Sequence, residues 1–185
     1  MKGLILITNN FEDVEAIATV DVLRRAKIDI DYVSINDELE AHTQSNLYIK
    51  CDKLLKDINL GSYDFLVIPG GKAVMTELKD RKEIPSIINH FASSGKLVAS
   101  ICAAPYLVGR MGFFEKSKYT CFPGCNEGVT EGKRVDKGVV RFNNFITAKS
   151  MAYSIDFALE IIEYLLGKAI RNQIDLSVHG DIRWY

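Results

Sequence analysis

Long apolar runs, an excess of charge of one sign and low-complexity segments are all missing from this chain of 185 residues. No apolar stretch approaches the roughly 20 residues that span a bilayer, so the sequence predicts no membrane contact. The 23 basic and 24 acidic side chains give a formal net charge of -1. That balance lacks the basic surplus typical of nucleic-acid binding, and we expect no nucleic-acid partner. The first apolar run, residues 1–8, is too short for a signal peptide, which predicts a cytoplasmic protein.

Cysteine is also scarce, and the sequence has no pattern for a metal or a cofactor. In a cytoplasmic protein the four cysteines count as thiols rather than as a disulfide framework; they are Cys51, Cys102, Cys121 and Cys125. The spacing of Cys121 and Cys125 suits two metal ligands, but no second ligand pair lies nearby, so zinc is not expected. The Gly70–Gly71 turn lacks the spacing of a phosphate-binding loop. We therefore predict neither a metal nor a cofactor.

The chain alternates short β-rich runs with amphipathic helices. The continuous apolar runs at 3–8 and 65–68 are typical of strands buried on both faces of a parallel sheet. One helix is predicted over 12–27, with acids in its first turn and bases in its last turn. Another is predicted over 155–166 from its apolar stripe. With no linker or repeat, the sequence predicts a single α/β domain over 1–185, a three-layer sandwich around a mainly parallel sheet.

Three segments with chemically useful residues each follow a predicted strand. They are the turn at 9–15, the Gly70–Gly71 turn and Cys102. In parallel α/β sheets, active sites lie at the carboxyl ends of the strands. We therefore expect these three segments to meet at one edge of the sheet.

Cys102 is the strongest candidate for a reactive residue. It follows a predicted strand, 96–101, and precedes a predicted helix, 103–111, as the residue of a nucleophile elbow does. Ser100 and Ala104 supply the small side chains that such a strained turn requires. The dipole and the unpaired N–H groups at a helix start favour a thiolate, so the sequence predicts a lowered thiol pKa. The alternative is a cysteine that merely fills buried apolar space.

Two further features bear on the chemistry of Cys102. The Gly70–Gly71 turn is either a loop that needs left-handed backbone geometry or part of an oxyanion hole. In the second case the N–H groups of Gly71 and Ala103 face developing negative charge. Glu15 has apolar neighbours in the first helix, and a solvent-poor position would raise its pKa and let its protonated form donate a hydrogen bond. A surface position is the alternative for any single glutamate.

These residues and their surroundings resemble the DJ-1/ThiJ/PfpI superfamily, and the DJ-1-like branch most closely. The resemblance implies a flavodoxin-like sandwich, usually a homodimer, with a reactive cysteine at the elbow. It also implies that a protonated glutamate, here Glu15, hydrogen-bonds the sulfur of Cys102. The matching stretches extend over nearly the whole chain; they are 12–16, 20–26, 63–71, 100–105 and 156–159.

One position departs from the pattern of this superfamily. Many members carry a histidine near the cysteine, in the segment that aligns with residues 120–123, and Phe122 occupies that position here. The three histidines, His42, His90 and His179, fall elsewhere in the sequence. A hydrolase that pairs cysteine with histidine therefore lacks its base, and a peptidase or amidase is the weakest interpretation.

The resemblance implies two functions that would use the same residues. In the first, the Cys102 thiolate adds to a reactive aldehyde such as methylglyoxal, or acts on a glycated substrate, while Glu15 moves protons; this is a glyoxalase or deglycase that needs no cofactor. In the second, Cys102 is oxidised rather than turned over, as in a redox sensor or a stress-linked chaperone. Cys121 and Cys125 are then either two unrelated thiols or, on a sharper hypothesis, include one that resolves a sulfenic acid on Cys102. The sequence does not separate these functions.

Overall fold

The apolar runs of the sequence form the strands of the structure, a computed structural model that describes residues 1–129 and 131–182. The strands are β1 (Lys2–Ile7), β2 (Asp29–Ser34), β3 (Glu40–His42), β4 (Tyr48–Lys50), β5 (Lys53–Leu54), β6 (Phe65–Ile68), β7 (Leu97–Ile101), β8 (Lys118–Tyr119), β9 (Lys133–Arg134), β10 (Val139–Phe142) and β11 (Phe145–Ala148). The helices are α1 (Asp13–Arg25), α2 (Lys72–Thr76), α3 (Glu83–Ser93), α4 (Pro105–Gly109), α5 (Ser154–Leu166) and α6 (Lys168–His179).

A mainly parallel sheet forms the centre of the molecule. Its strand order is β10-β11-β7-β6-β1-β2-β5, and its strand pairs are parallel apart from the β10–β11 hairpin. The strands β3 and β4 form a separate antiparallel hairpin. This architecture confirms the predicted three-layer α/β sandwich around a mainly parallel sheet.

Both faces of the sheet are apolar, and each carries its own helical layer. Along β1, Ile5 and Ile7 belong to the core under α1, α5 and α6, whereas Leu4 and Leu6 belong to the core under α3 and α4. Because side chains alternate between the faces of a strand, a strand covered on both sides is apolar at most of its positions. The central strands are therefore continuous apolar runs in the sequence.

Two elements differ from the sequence-based prediction. The helix after Cys102 spans only Pro105–Gly109, because residues 102–104 form a turn. Gly167 ends α5 with a φ of 86°, and the chain then continues into α6. Ile174 is the buried residue of α6, so this helix lacks the broad apolar stripe by which a sequence reveals a packed helix.

The sequence also makes a prediction about the C-terminal tail. The aromatic end of the C-terminal tail is predicted to dock on the body or on a partner subunit, or to fray; its residues 183–185 lie outside the described residues. Across 1–129 and 131–182, no helix is both long enough and apolar enough to cross a bilayer.

Candidate active site

The backbone at Cys102 has the strained geometry expected of an elbow. Its φ of 64° lies in the left-handed region, which costs a residue with a side chain about 1–2 kcal/mol. Two hydrogen bonds hold it there: the Cys102 N–H donates to the Ala148 carbonyl at 2.9 Å, and the Cys102 carbonyl accepts from the Phe122 N–H at 2.8 Å. Ser100 and Ala104 are both buried. The sheet and the segment at 122 thus fix the thiol at the end of β7.

Glu15 lies in the first turn of α1 and is 1% exposed. The side chain of Glu12 accepts a hydrogen bond from the Glu15 N–H at 2.7 Å, which caps the helix, and the Gly70 N–H donates to Glu15 Oε2 at 2.8 Å. The predicted burial is present, but its reason differs, because Val14 and Ile17 are themselves exposed. The ends of β6 and β7, rather than neighbours in the sequence, cover the carboxyl group.

Burial raises the pKa of Glu15 to about 7, although hydrogen bonds from Cys102 and Gly70 act in the opposite direction. The carboxyl group interacts with the Cys102 thiol. Its second oxygen, Oε1, is buried and has no hydrogen-bond partner of regular geometry among the described residues. A protonated Glu15 is therefore accessible near neutral pH, and its O–H can serve as a donor at the sulfur.

Burial also raises the pKa of the Cys102 thiol, and the neighbouring Glu15 carboxylate raises it further. The N–H groups of Ala103 and Gly71 face the sulfur and lower the pKa, but they do not outweigh burial. This direction is opposite to the lowered pKa expected from the sequence. The helix that follows, α4, is short, so the sulfur gains nearby N–H donors without the dipole of a long helix. A thiolate at Cys102 costs less free energy when Glu15 is protonated, since the neighbouring negative charge is then absent.

The two glycines after β6 bring the backbone close to this pair. A Cβ at Gly70 would lie 2.7 Å from both Cys102 Cβ and Glu15 Oε2. Gly71 has a φ of 98°, and a Cβ there would lie 2.5 Å from the Glu12 nitrogen. Gly71 therefore has the left-handed geometry that the sequence suggested, and its N–H also faces the sulfur.

A cavity of about 360 Å³ opens beside Cys102. Met75, Phe122 and Met151 form an apolar part of its wall, and Cys125 also lines it. The histidines at 42, 90 and 179 are not among its lining residues. Its full lining is Glu12, Glu15, Gln44, Gly71, Lys72, Met75, Cys102, Ala103, Phe122, Cys125, Ser150 and Met151.

Cys121 and Cys125 have different surroundings. Cys121 is fully buried in the core under α3 and α4, where its sulfur interacts with the Arg134 guanidinium. Cys125 is half-buried and faces the cavity. Across 1–129 and 131–182, no group of three or more His, Cys, Asp or Glu side chains is arranged to hold a metal ion.

The segments that contain Gly70 and Glu12 were expected at the site, but the contacts of these two residues and two further lining residues were not predicted from the sequence. Gly70 supplies the N–H for Glu15, and Glu12 caps the helix that carries it. The Glu12 position has a recognisable signal, an acidic side chain three residues before Glu15 at a helix start. Gln44 and Ser150 line the cavity from segments distant in sequence, and neither has a local signal for this role.

The sequence matches the DJ-1/PfpI family over residues 1–164. The chain belongs to the DJ-1/PfpI family. One relative, Glutathione-independent glyoxalase DJR-1.2 of Caenorhabditis elegans, is 30% identical over 173 residues, which cover 92% of this chain and 91% of the relative. Protein DJ-1 homolog B of Arabidopsis thaliana is 30% identical over 166 residues, 89% of this chain but 38% of the plant protein. The chain thus spans less than half of that longer relative.

Solved structures of the DJ-1/PfpI family have the same fold. DJ-1beta of Drosophila melanogaster superposes with a TM-score of 0.88 at 27% identity, covering 96% of each chain. Oxidized DJ-1 of Toxoplasma gondii superposes with a TM-score of 0.86 at 28% identity, covering 96% of this chain and 97% of that chain. These matches support the α/β fold described above.

Proposed function

We propose that this chain is a cysteine-dependent enzyme that acts on reactive carbonyls such as methylglyoxal and needs no cofactor. The observation that carries the proposal is the buried Glu15 carboxyl group, with a pKa raised to about 7, against the thiol of Cys102. The N–H groups of Gly71 and Ala103 at the sulfur add support. The name of the nematode relative, a glutathione-independent glyoxalase, agrees with this chemistry.

The first step forms a bond between sulfur and the aldehyde carbon. The Cys102 thiol transfers its proton to the Glu15 carboxylate, and the resulting thiolate attacks the aldehyde while the carbonyl π electrons move to oxygen. Glu15 then returns a proton to that oxygen, which yields a neutral hemithioacetal. The N–H groups of Gly71 and Ala103 stabilise negative charge on sulfur before the attack and on oxygen during it.

The second stage is an internal redox isomerisation, so no external oxidant is required. The Glu15 carboxylate removes the hydrogen of the former aldehyde carbon as a proton and delivers it to the ketone oxygen, which gives an enediol. Glu15 then takes the hydroxyl proton from the sulfur-bearing carbon and returns a proton to the adjacent carbon, which gives a lactoyl thioester of Cys102. Water then breaks the carbon–sulfur bond and releases lactate and the free thiol. One molecule each of methylglyoxal and water therefore becomes one molecule of lactic acid.

The cavity fits this assignment better than it fits a hydrolase. A peptidase or amidase needs a histidine within reach of the thiol, whereas Phe122 and Met151 stand in the wall near Cys102. An apolar wall tolerates a small neutral dicarbonyl and does not require a charged anchor. Glu15 is then the group that both donates and accepts protons.

Lactate formation from methylglyoxal in Tris-free buffer tests the proposal. We expect Cys102→Ala to abolish lactate formation, and Glu15→Gln to lower it by at least about 100-fold because the general acid and base is lost. Cys121→Ala, which removes a buried thiol outside the cavity, is the matched control and should retain activity. Lactate must be measured directly, since reversible adducts also deplete the aldehyde. Wild-type protein that consumes methylglyoxal without forming lactate would contradict the proposal.

A second candidate function is oxidation of Cys102 in response to peroxide. The buried Glu15 Oε1, which lacks a partner of regular geometry among the described residues, favours it, because a protonated oxygen there can donate to a sulfinate oxygen. A stress-linked sensor or chaperone would then use the same residues without turnover. Selective oxidation of Cys102 at low peroxide, in protein that forms no lactate, would support this candidate over the first.

We further propose that the chain acts in the cytoplasm as a homodimer. Exposed apolar side chains lie on α1, on the β3–β4 hairpin and before and within α5. The hairpin is joined to α1 by a 2.8 Å hydrogen bond from Ser45 Oγ to Asp13 Oδ1, and α1 packs against α5. A second copy would cover this apolar face, whose residues are Val14, Ile17, Leu47, Tyr48, Met151 and Ile155.

A further inference from the structure

A tight turn formed by residues 122–125 lies beside Cys102. The Cys125 N–H donates to the Phe122 carbonyl at 3.0 Å, Pro123 is at the second position, and Gly124 at the third has a φ of 86°. These are the features of a type II turn. The turn is attached to the elbow itself, because the Phe122 N–H donates to the Cys102 carbonyl at 2.8 Å.

This attachment brings a second thiol to the site. Cys125 lines the same cavity as Cys102, only three residues beyond the hydrogen bond that joins the two segments. Cys121 does not line this cavity; it is fully buried, and its sulfur interacts with Arg134. Cys125 therefore shares the cavity with Cys102, although its sulfur also lies close enough to Cys121 to interact with that thiol.

The turn that carries Cys125 is largely exposed. Phe122, Pro123 and Gly124 are exposed, and a Cβ built at Gly124 would meet no other described atom within 4 Å. A disulfide needs Cα atoms about 5.5 Å apart, so the resolving step requires this turn to carry Cys125, which packs against the edge of the core under α3 and α4, to that separation from Cys102. Cys121, by contrast, is fully buried in that core.

We propose that Cys125 is the resolving thiol of Cys102. After a hydroperoxide oxidises Cys102, Cys125 captures the sulfenic acid as an intramolecular disulfide and prevents further oxidation to the sulfinate. The proposal rests on the reactive Cys102 of the proposed function and adds a reversible inactive state to it.

The chemistry balances in two steps. The Cys102 thiolate attacks one peroxide oxygen, the O–O bond breaks, and the departing oxygen takes the proton from Glu15 as water or an alcohol; sulfur loses two electrons and the peroxide gains them. The Cys125 sulfur then attacks the sulfenic sulfur, the S–O bond breaks, and the hydroxide leaves with the Cys125 proton as water. A dithiol reductant restores both thiols by exchange.

Peptide mapping without reduction, after treatment with hydrogen peroxide, tests this assignment. In wild type we expect a Cys102–Cys125 linked peptide that dithiothreitol removes. In Cys125→Ser and Cys125→Ala the link should be absent and the Cys102 sulfinate at least about fivefold more abundant. Cys121→Ser is the matched control and should behave as wild type. Circular dichroism of each variant confirms that it is folded.

Three outcomes would overturn the proposal. The first is a link from Cys102 to Cys121, and the second is equal sulfinate in wild type and both Cys125 variants. The third is a link between light and heavy chains in an isotopically mixed sample, because such a disulfide is intermolecular. Iodoacetamide labelling of Cys102 and lactate formation in the reduced samples separate this failure from failure of the proposed function. An unreactive Cys102 refutes both ideas, whereas a reactive Cys102 without the Cys125 link refutes only the resolving role.

Discussion

Glu15 and Cys102 share a buried space, and burial opposes charge on both side chains. Burial raises the pKa of Glu15 to about 7 and raises that of the Cys102 thiol as well. Their first proton is therefore lost near neutral pH, and the pair then keeps one proton, which the raised thiol pKa places mainly on Cys102. The reactive form, thiolate beside carboxylic acid, is one arrangement of that single proton. Reactivity should consequently rise as the pH passes about 7.

The raised pKa of Glu15 also predicts how stability depends on pH. A solvated glutamate has a pKa of 4.5, whereas the pKa of Glu15 in the folded protein is about 7. Between these values the folded state binds more protons than the unfolded state. The contribution of Glu15 to the free energy of unfolding should therefore be fully present below pH 4.5. About 3 kcal/mol of it should be lost as the pH rises from there through 7. Chemical unfolding at pH 5 and pH 8 measures the difference, which Glu15→Gln should abolish.

The control for this prediction is Glu127→Gln, which makes the same chemical change at an exposed glutamate. Its stability should follow the wild-type pH dependence. If Glu15→Gln also follows wild type across this interval, then the carboxyl group does not titrate as its burial requires.

At the scale of elements, the approach of the β6 turn to the end of β7 determines the geometry of the site. A Cβ at Gly70 would lie 2.7 Å from Cys102 Cβ and from Glu15 Oε2. We expect Gly70→Ala to destabilise the fold by about 1–3 kcal/mol through overpacking. It should also change the alkylation rate of Cys102, because the thiol and the carboxyl group must move apart. Iodoacetamide kinetics and urea unfolding measure the two effects.

Gly95→Ala is the matched control for Gly70→Ala. Gly95 follows α3 with a φ of 69°, and a Cβ there would meet no other described atom within 4 Å. Backbone strain should cost about 1–2 kcal/mol, but the reactivity of Cys102 should stay as in wild type. A similar change of reactivity in both variants would show that general destabilisation, not the local contact, is responsible.

The elements themselves are predictable to different degrees. The sequence predicts the central strands because burial on both faces favours apolar side chains at most positions, as at 65–68. It does not predict α6, because Ile174 is the buried residue of that helix and the remainder is partly or fully exposed. The predicted helix after Cys102 is too long, since the turn at 102–104 delays its start to Pro105.

At the scale of the whole molecule, the apolar face on α1 and its neighbours predicts the oligomeric state. A lysine at Ile17 would place a charge in the centre of the proposed dimer interface, where desolvation is costly. We therefore expect wild type to sediment as a dimer and Ile17→Lys as a monomer. Ser86→Lys, on α3 in the opposite helical layer, adds the same charge and should remain dimeric. A monomeric wild type would contradict the proposal.

The sequence by itself determined the fold class and the elbow. Both depend on local rules: continuous apolar runs for buried parallel strands and small side chains around a strained turn. Only the tertiary structure decided the burial of Glu15, since its partner Gly70 lies 55 residues away. It also set the direction of the Cys102 pKa, which burial raises, and brought Cys125 rather than Cys121 to the cavity. Desolvation and cavity shape depend on atoms from distant segments, which no local pattern specifies.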